Sequence, residues 1–199
     1  MADIYNWPSE LIPQENEFYL EAVTRFFESP FTGDSQTMEV PGAKWKAKLK
    51  FSKLGAERLR LLEITLLQLR GAANRIKITD HAIARAGVGG NATVDGAGQL
   101  GRVLMVKDAT PSVEYLKTGD YFEVNGELKR MIADAFTDSY GKTSLRFEPA
   151  LRKAPPNNSQ VITDNPSAIF RLEKDSGSKT QRQSLIGNVT LNFVEVIRQ

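Results

Sequence analysis

The sequence predicts a mainly β protein with one long helix, in which a small β-barrel or sandwich, the oligonucleotide/oligosaccharide-binding (OB) type being one possibility, is inserted into a first sheet domain built from both ends of the chain. Three observations carry that expectation. From Trp45 to Phe51, apolar Trp45, Ala47, Leu49 and Phe51 alternate with Lys46, Lys48 and Lys50, the period-2 pattern of a half-buried strand. Residues 56–70 set Leu59, Leu62, Leu66 and Leu69 at spacings of three and four, the stripe of an amphipathic helix. Between Tyr121 and Ile132, two short runs are joined by Asn125-Gly126, a dipeptide suited to a two-residue type I′ hairpin turn.

Composition bounds the rest. A chain of 199 residues makes one large domain or two small ones, and 41% apolar with 25% charged residues is ordinary for a soluble globular protein. The formal charge of +2 is small, and no arginine-rich stripe with interleaved aromatics argues for specific nucleic-acid recognition. The chain has no cysteine, which excludes disulfides and thiolate chemistry. No apolar run reaches the roughly 18 residues of a membrane span. The N-terminus, with Asp3 and Glu10, lacks the basic region and apolar core of a secretory signal.

Residues 1–16 hold Trp7, Pro8 and Pro13 among polar neighbours and read as an extended arm or edge strand. Either the arm lies on a neighbouring subunit, or Trp7 and Leu11 cap the chain's own core. Phe18 to Phe27 fits helix or strand by itself, and its context favours strand; Ser29-Pro30-Phe31-Thr32-Gly33 then breaks it. Thr37 to Phe51 is the clearest early β region. Its three lysines suit a phosphate-binding stripe or, in the favoured reading, the wet side of a protected edge strand. In the helix, Arg58, Arg60, Glu63, Gln68 and Arg70 sit mainly off the stripe, Leu61 and Leu67 widen the apolar face, and Gly71 offers a left-handed stop. Fifteen residues span about 22 Å, too short to be stable alone, so the flanking strands must cover the stripe. Asn74 to Asp80 is the next strand.

The stretch 81–101 is rich in glycine and alanine and reads as a long irregular connection. Gly96, Gly98 and Gly101 resemble a dinucleotide fingerprint only superficially, because a strand-like segment follows instead of a helix. Arg102 to Pro149 then reads as four or five short strands with regular turns, a small barrel or sandwich. Tyr121 and Phe122 fall on opposite strand faces, so one of them is expected to contact something outside the core. Pro155-Pro156 marks a second boundary, Ala168 to Leu172 is a strand, 172–184 is a polar loop or hairpin, and Asn188 to Ile197 returns to the first sheet. The expected domains are 1–81 with 161–199, and an inserted 82–160.

No constellation for catalysis emerges. His81 is the only histidine, so a zinc site would need an unusual set of carboxylates. Asp134 and Asp138 lie in a turn without the ligand series of a calcium loop, and Ser139 has no base nearby in sequence. The expectation is a structural or binding protein, not an enzyme, with no cofactor and no metal.

An ordered series of motifs sharpens this: GAKWKAKLKF, LLEITLLQLRGAANRIKI, VDGAGQLGRVLMVKD, LKTGDYFEVNGELKRM, TSLRFEPALRKAPP, AIFRLEKDSG and NVTLNFVEVI. Carried by Trp45, Leu69, Arg70, Gly71, Asn74, Arg75, Gly96 to Gly101, Gly119 to Val124, Phe147 to Arg152, Arg171, Leu172, Phe193 and Glu195, the series resembles the distal tail protein of long-tailed bacteriophages. The resemblance spans about Phe18 to Ile197. It implies a β-sandwich ring domain with an inserted small OB-like β-barrel, in a virion protein of the tail tip, made in the host cytoplasm, forming a homo-oligomeric and expectedly hexameric ring. That ring would stack between the tail tube protein and the baseplate hub protein, leave a channel for DNA, and offer its outside to fibre or side proteins. In such a ring Trp7, Arg58, Arg60, Arg70 and Arg75 are candidate subunit-interface residues, and solvation of the helix's wet face is the alternative for the arginines. Tyr121, Phe122 and Asn125 are candidate contacts of the outer domain. A carbohydrate- or host-surface-binding accessory module using the barrel is the alternative function.

Overall fold

The structure, a computed structural model, describes residues 2–81, 90–173, 181–183 and 186–197. It is mainly β with one long helix and a closed six-stranded barrel. The chain divides into two compact units, 1–76 with 170–199, and 77–169.

The first part of the chain forms β1 (Ile4–Asn6), β2 (Glu15–Glu28), β3 (Ser35–Leu54), α1 (Ala56–Leu69) and β4 (Arg75–Thr79). There follow β5 (Ala92–Val94), β6 (Gly101–Lys107), β7 (Glu114–Leu116), β8 (Tyr121–Val124), β9 (Glu127–Met131), β10 (Ala135–Phe136), β11 (Thr143–Leu151) and β12 (Gln160–Ile162). The chain ends with β13 (Ser167–Leu172), β14 (Gln181–Gln183) and β15 (Ile186–Glu195). One seven-stranded sheet runs β1-β4-β13-β15-β3-β2, with β14 on β15. The second layer expected of a sandwich is supplied over this sheet by α1 and the N-terminal segment.

Alternation along β3 decides which face is covered. Trp45, Ala47, Leu49 and Phe51 are buried beside Val189, Leu191 and Phe193 of β15, which pair with β3 in antiparallel register. Each valine, leucine or phenylalanine among them removed from water contributes about 1.5–3 kcal/mol. Trp7 packs on Phe51 (ring centroids 6.0 Å) and edge-on to Phe193 (5.9 Å), its indole Nε1 donates to the Leu11 carbonyl at 2.8 Å, and Leu11 is fully buried. Of the two readings of the N-terminal arm, the cap on the chain's own core is the one observed. At the far end of the same face, the buried Glu195 carboxylate accepts the Trp45 N–H at 3.0 Å.

The opposite face of β3 is polar, and its lysines are neutralised one by one. Lys46 pairs with Glu21 and Glu173, Lys48 with Glu17, and Lys50 with Glu15. Hydrogen bonds from the Glu21 and Glu173 carboxylates hold the Lys46 ammonium above its ordinary range, and the Lys48 ammonium lowers Glu17. Because β3 lies between β15 and β2, the expected edge protection is corrected: the edge strand is β2, and the lysines meet its glutamates across the ladder.

Helix α1 buries Leu59, Leu62, Thr65 and Leu69. Leu66 and Leu61 are only half-buried and Leu67 is 75% exposed, so the apolar face is narrower than the leucine count suggested. The helix ends one residue early, with Arg70 itself left-handed (φ 47) ahead of Gly71 (φ 67). The sequence reading gave no such role to Asn74. Its buried side chain donates to the Gln68 carbonyl at 2.8 Å, its backbone N–H donates to Leu69 at 3.0 Å, and its Oδ1 accepts the Asp3 N–H at 3.2 Å. One residue thereby satisfies two orphan carbonyls of the helix end.

In the second unit the barrel closes in the order β11-β6-β5-β12-β8-β9, with β10 and β7 paired outside it. Six strands exceed the five of an OB barrel. β5 lies inside the glycine-rich stretch read as irregular, because Ala92 and Val94 are small enough to fill the interior where β6 and β12 meet. Residues 82–89 of that stretch, and most of the polar segment after Leu172, lie outside the described residues. Strand β12 pairs with β5 and β8, and Ser167 donates through its N–H and hydroxyl to Glu123. Residues 161–169 therefore belong with the barrel, as do 77–81, and the expected limits of 81 and 161 move to 76 and 170.

Candidate assembly surface

Beyond Leu20, the ribbon of β2 and β3 leaves its sheet. The register steps from Glu21↔Lys44 to Val23↔Val40, so Pro41, Gly42 and Ala43 oppose Ala22 alone. A bulge bends and twists a strand, a proline there forfeits no ladder bond, and Gly42 takes φ 133, which a side chain would resist. The distal hairpin, 23–40, is then solvated on both sides: all eight residues Glu21–Glu28 are exposed, as are 35–39. The turn is closed by Ser29 N–H donating to Asp34 O (2.9 Å) and Gly33 N–H to Ser29 O (3.0 Å).

What the hairpin exposes is apolar. Directly opposed residues share a face, which puts Val23, Val40, Met38 and Phe27 together with Arg25 and Gln36, and puts Phe26 on the other side with Thr24, Glu28, Ser35, Thr37 and Glu39. Phe26 is 73% exposed, Phe27 55%, and Phe31 at the tip 95%. Covering each of these would contribute about 1.5–3 kcal/mol. A two-stranded ribbon with water on both faces is marginal by itself.

The residues singled out from sequence fall around this feature unevenly. Arg58, Arg60 and Arg70 lie exposed along and just after α1. Arg75 is half-buried and tied locally, its Nη1 3.4 Å from Ala72 O and its N–H on Asp3 O at 2.8 Å. Trp7 is half-buried against its own sheet. The structure does not gather these five into one cluster.

The barrel candidates require correction. Phe122 is fully buried against Phe147 (5.3 Å, edge to face), so it offers nothing to a partner. Tyr121, on the opposite face of β8, is also buried: the Arg130 guanidinium lies 5.1 Å from its ring, and burial, with the Asp80 charge adding, raises its phenol. Both aromatics pack because the outer wall of β8 is itself covered, by Asp80, Arg130 and the 123–167 hydrogen bonds. Only Asn125 is exposed, and its φ of 51 beside Gly126 (φ 75) makes it a turn residue.

Inside the barrel sits an ion pair that sequence did not flag. Lys129 is fully buried, its Nζ 2.7 Å from Glu127 and 2.9 Å from the Ala150 carbonyl, and Glu127 accepts the N–H groups of Arg152 and Lys153 at 3.1 Å. The pair fastens the end of β11 to β9. Asp134 accepts the Thr118 N–H and hydroxyl, both at 2.7 Å, which lower its pKa, and Asp138 accepts the N–H groups of Tyr140 and Lys142 at 2.8 Å. These acids organise turns. His81 is partly buried, and its burial lowers its pKa against the opposing Asp80 charge. Among the described residues, no three histidines or carboxylates come together to hold a metal, and no helix is long and apolar enough to cross a membrane.

The chain matches no protein-family model, and no curated protein matches it.

Proposed function

We propose that this chain is a structural component of a bacteriophage tail tip: a distal tail protein that assembles into a ring, six-fold by family resemblance, between the tail tube and the baseplate hub. The observation that carries assembly is the hairpin 23–40, which presents Phe26, Phe27, Phe31 and Met38 to water on a ribbon that has left its own sheet. An exposed apolar feature of this kind marks a surface built to be covered. The resemblance of the ordered motifs from Trp45 to Glu195 supports the tail-tip reading. The ring leaves a channel for DNA without reading its sequence, and fibre or side proteins are the further partners of this reading. The proposal assigns the chain no catalytic step and no cofactor. Electron microscopy of the purified protein tests it, alone and with tube and hub proteins. Rings with a central hole and peripheral lobes support it, and dispersed monomers under both conditions refute it.

A second reading has its own observation. Phe136 and Tyr140, outside the six barrel strands, are 63% and 82% exposed, and an exposed aromatic ring suits stacking on a sugar. A glycan-array signal lost in Tyr140→Ala, from a protein that stays monomeric, would favour a host-surface-binding module over a ring.

A further inference from the structure

We infer that β2 pairs with β2 of a second copy, antiparallel about a two-fold axis at Val23, so that the two sheets run on into one. The contact goes beyond the ring reading: a two-fold closes after two copies and would join one ring to another. β2 is an edge of 14 residues, and among the described residues no strand lies on its outer side. A long edge of unpaired N–H and C=O groups is a template for another strand. The ladder shows which groups those are. Ser29 N–H donates to Asp34 O, and Trp45 N–H turns away from β2 to Glu195. The odd-numbered residues of β2 therefore bond to β3, and Leu20, Ala22, Thr24 and Phe26 turn their backbone groups outward.

Side chains select the partner and the register. With Val23 opposite itself, the outward groups pair Leu20 with Phe26 and Ala22 with Thr24, while the closer, non-hydrogen-bonded pairs set Glu21 opposite Arg25 and Tyr19 opposite Phe27. Each pair occurs twice by symmetry. Glu21 then stands between Lys46 of its own chain, 2.9 Å away, and Arg25 of the second copy, a cation with no carboxylate partner among the described residues. Tyr19, Phe26 and Phe27, 48%, 73% and 55% exposed, each gain an apolar neighbour. Sliding one strand by two residues sets Glu21 against Phe27 or Val23, and sliding by four sets Arg25 against Arg25 or Glu21 against Glu21. A foreign strand would have no need of this order: Glu21 and Arg25, Tyr19 and Phe27, Leu20 and Phe26 stand equally far on either side of Val23, which suits a strand meeting its own copy. The sheet's other edge, β1, is 3 residues long and too short to match.

Because the chain has no cysteine, single replacements report the contact directly. In Val23→Cys the two sulfurs meet at the axis, where facing Cα atoms of a non-hydrogen-bonded pair lie about 4.5 Å apart, within disulfide reach. Mild oxidation should give a covalent dimer and nothing larger, whereas Phe31→Cys at the exposed tip should stay unlinked. Glu21→Arg and Arg25→Glu, each alone, oppose like charges twice per dimer and should weaken self-association roughly tenfold or more in analytical ultracentrifugation. Their one-to-one mixture should restore it, because a strand with two arginines then meets a strand with two glutamates. Rings that form without the Val23→Cys cross-link and without rescue would overturn the two-fold contact and leave the ring reading standing. Cross-linked dimers that never join a ring, even with tube and hub proteins, would support the contact and overturn the ring. Wild type that stays monomeric alone and with those proteins would overturn both.

Discussion

In hairpin β8–β9 all four residues of Tyr121–Val124 are buried, whereas in the distal half of β2–β3 all eight of Glu21–Glu28 are exposed, although both runs mix aromatics with acids. The strands are alike in composition; their surroundings differ. The β8–β9 ribbon has neighbours on both edges through β12 and β11, a filled barrel inside it, and Asp80 and Ser167 outside. The β2–β3 ribbon loses its neighbours at the bulge of Pro41–Ala43 and has only itself. Aromatics therefore stabilise the fold in one hairpin and remain available to a partner in the other.

That contrast breaks first at Phe122. Phe122→Ala should lower unfolding stability by about 3–5 kcal/mol, the range for a buried aromatic, in urea denaturation followed by circular dichroism. Lys129→Ala should cost about 3 kcal/mol, the lower end for one partner of a buried pair, because Glu127 keeps the N–H groups of Arg152 and Lys153. A loss under 1 kcal/mol in either variant would mean the barrel wall is not closed as described.

The alkaline limb sharpens the comparison. Burial pushes the Tyr115 phenol up to about 12, above its ordinary value of 10.0, so the folded state keeps a proton that the unfolded state loses first. The contribution is complete below pH 10 and falls as pH rises from 10 towards 12. It amounts to roughly 2–3 kcal/mol at 1.36 kcal/mol per unit. Tyr115→Phe should flatten the stability-against-pH curve in that window, and an unchanged slope would assign it to other groups.

The smallest effect on stability belongs to the exposed hairpin. Phe26→Ser with Phe27→Ser should change the stability of the isolated chain by about 0.5 kcal/mol or less per site. A larger loss would show that the hairpin packs on its own chain.

Legibility followed the same division. The alternation around Trp45, the leucine stripe of α1 and the Asn125-Gly126 turn were readable because each depends on residues near in sequence. Tyr121 was misread because its cover comes from Asp80, 41 positions away. β5 was missed because Ala92 and Val94, among glycines, carry little strand signal until β6 and β12 flank them. The lysine row was read as an edge because the glutamates that pair with it lie across the ladder on β2. The projecting hairpin left one local trace, the apolar pair Phe26-Phe27 that breaks alternation, together with Pro41-Gly42 in mid-strand. How far the ribbon leaves the sheet depends on partners that spacing does not encode.

The central claim is that the hairpin is reserved for a second copy, and its most direct test is the mass of the particle. Native mass spectrometry of wild type and of Phe26→Ser with Phe27→Ser, each alongside a thermal melt, should give a closed oligomer for wild type and a monomer with an unchanged melt for the variant. An oligomer of the same mass in both would contradict the account.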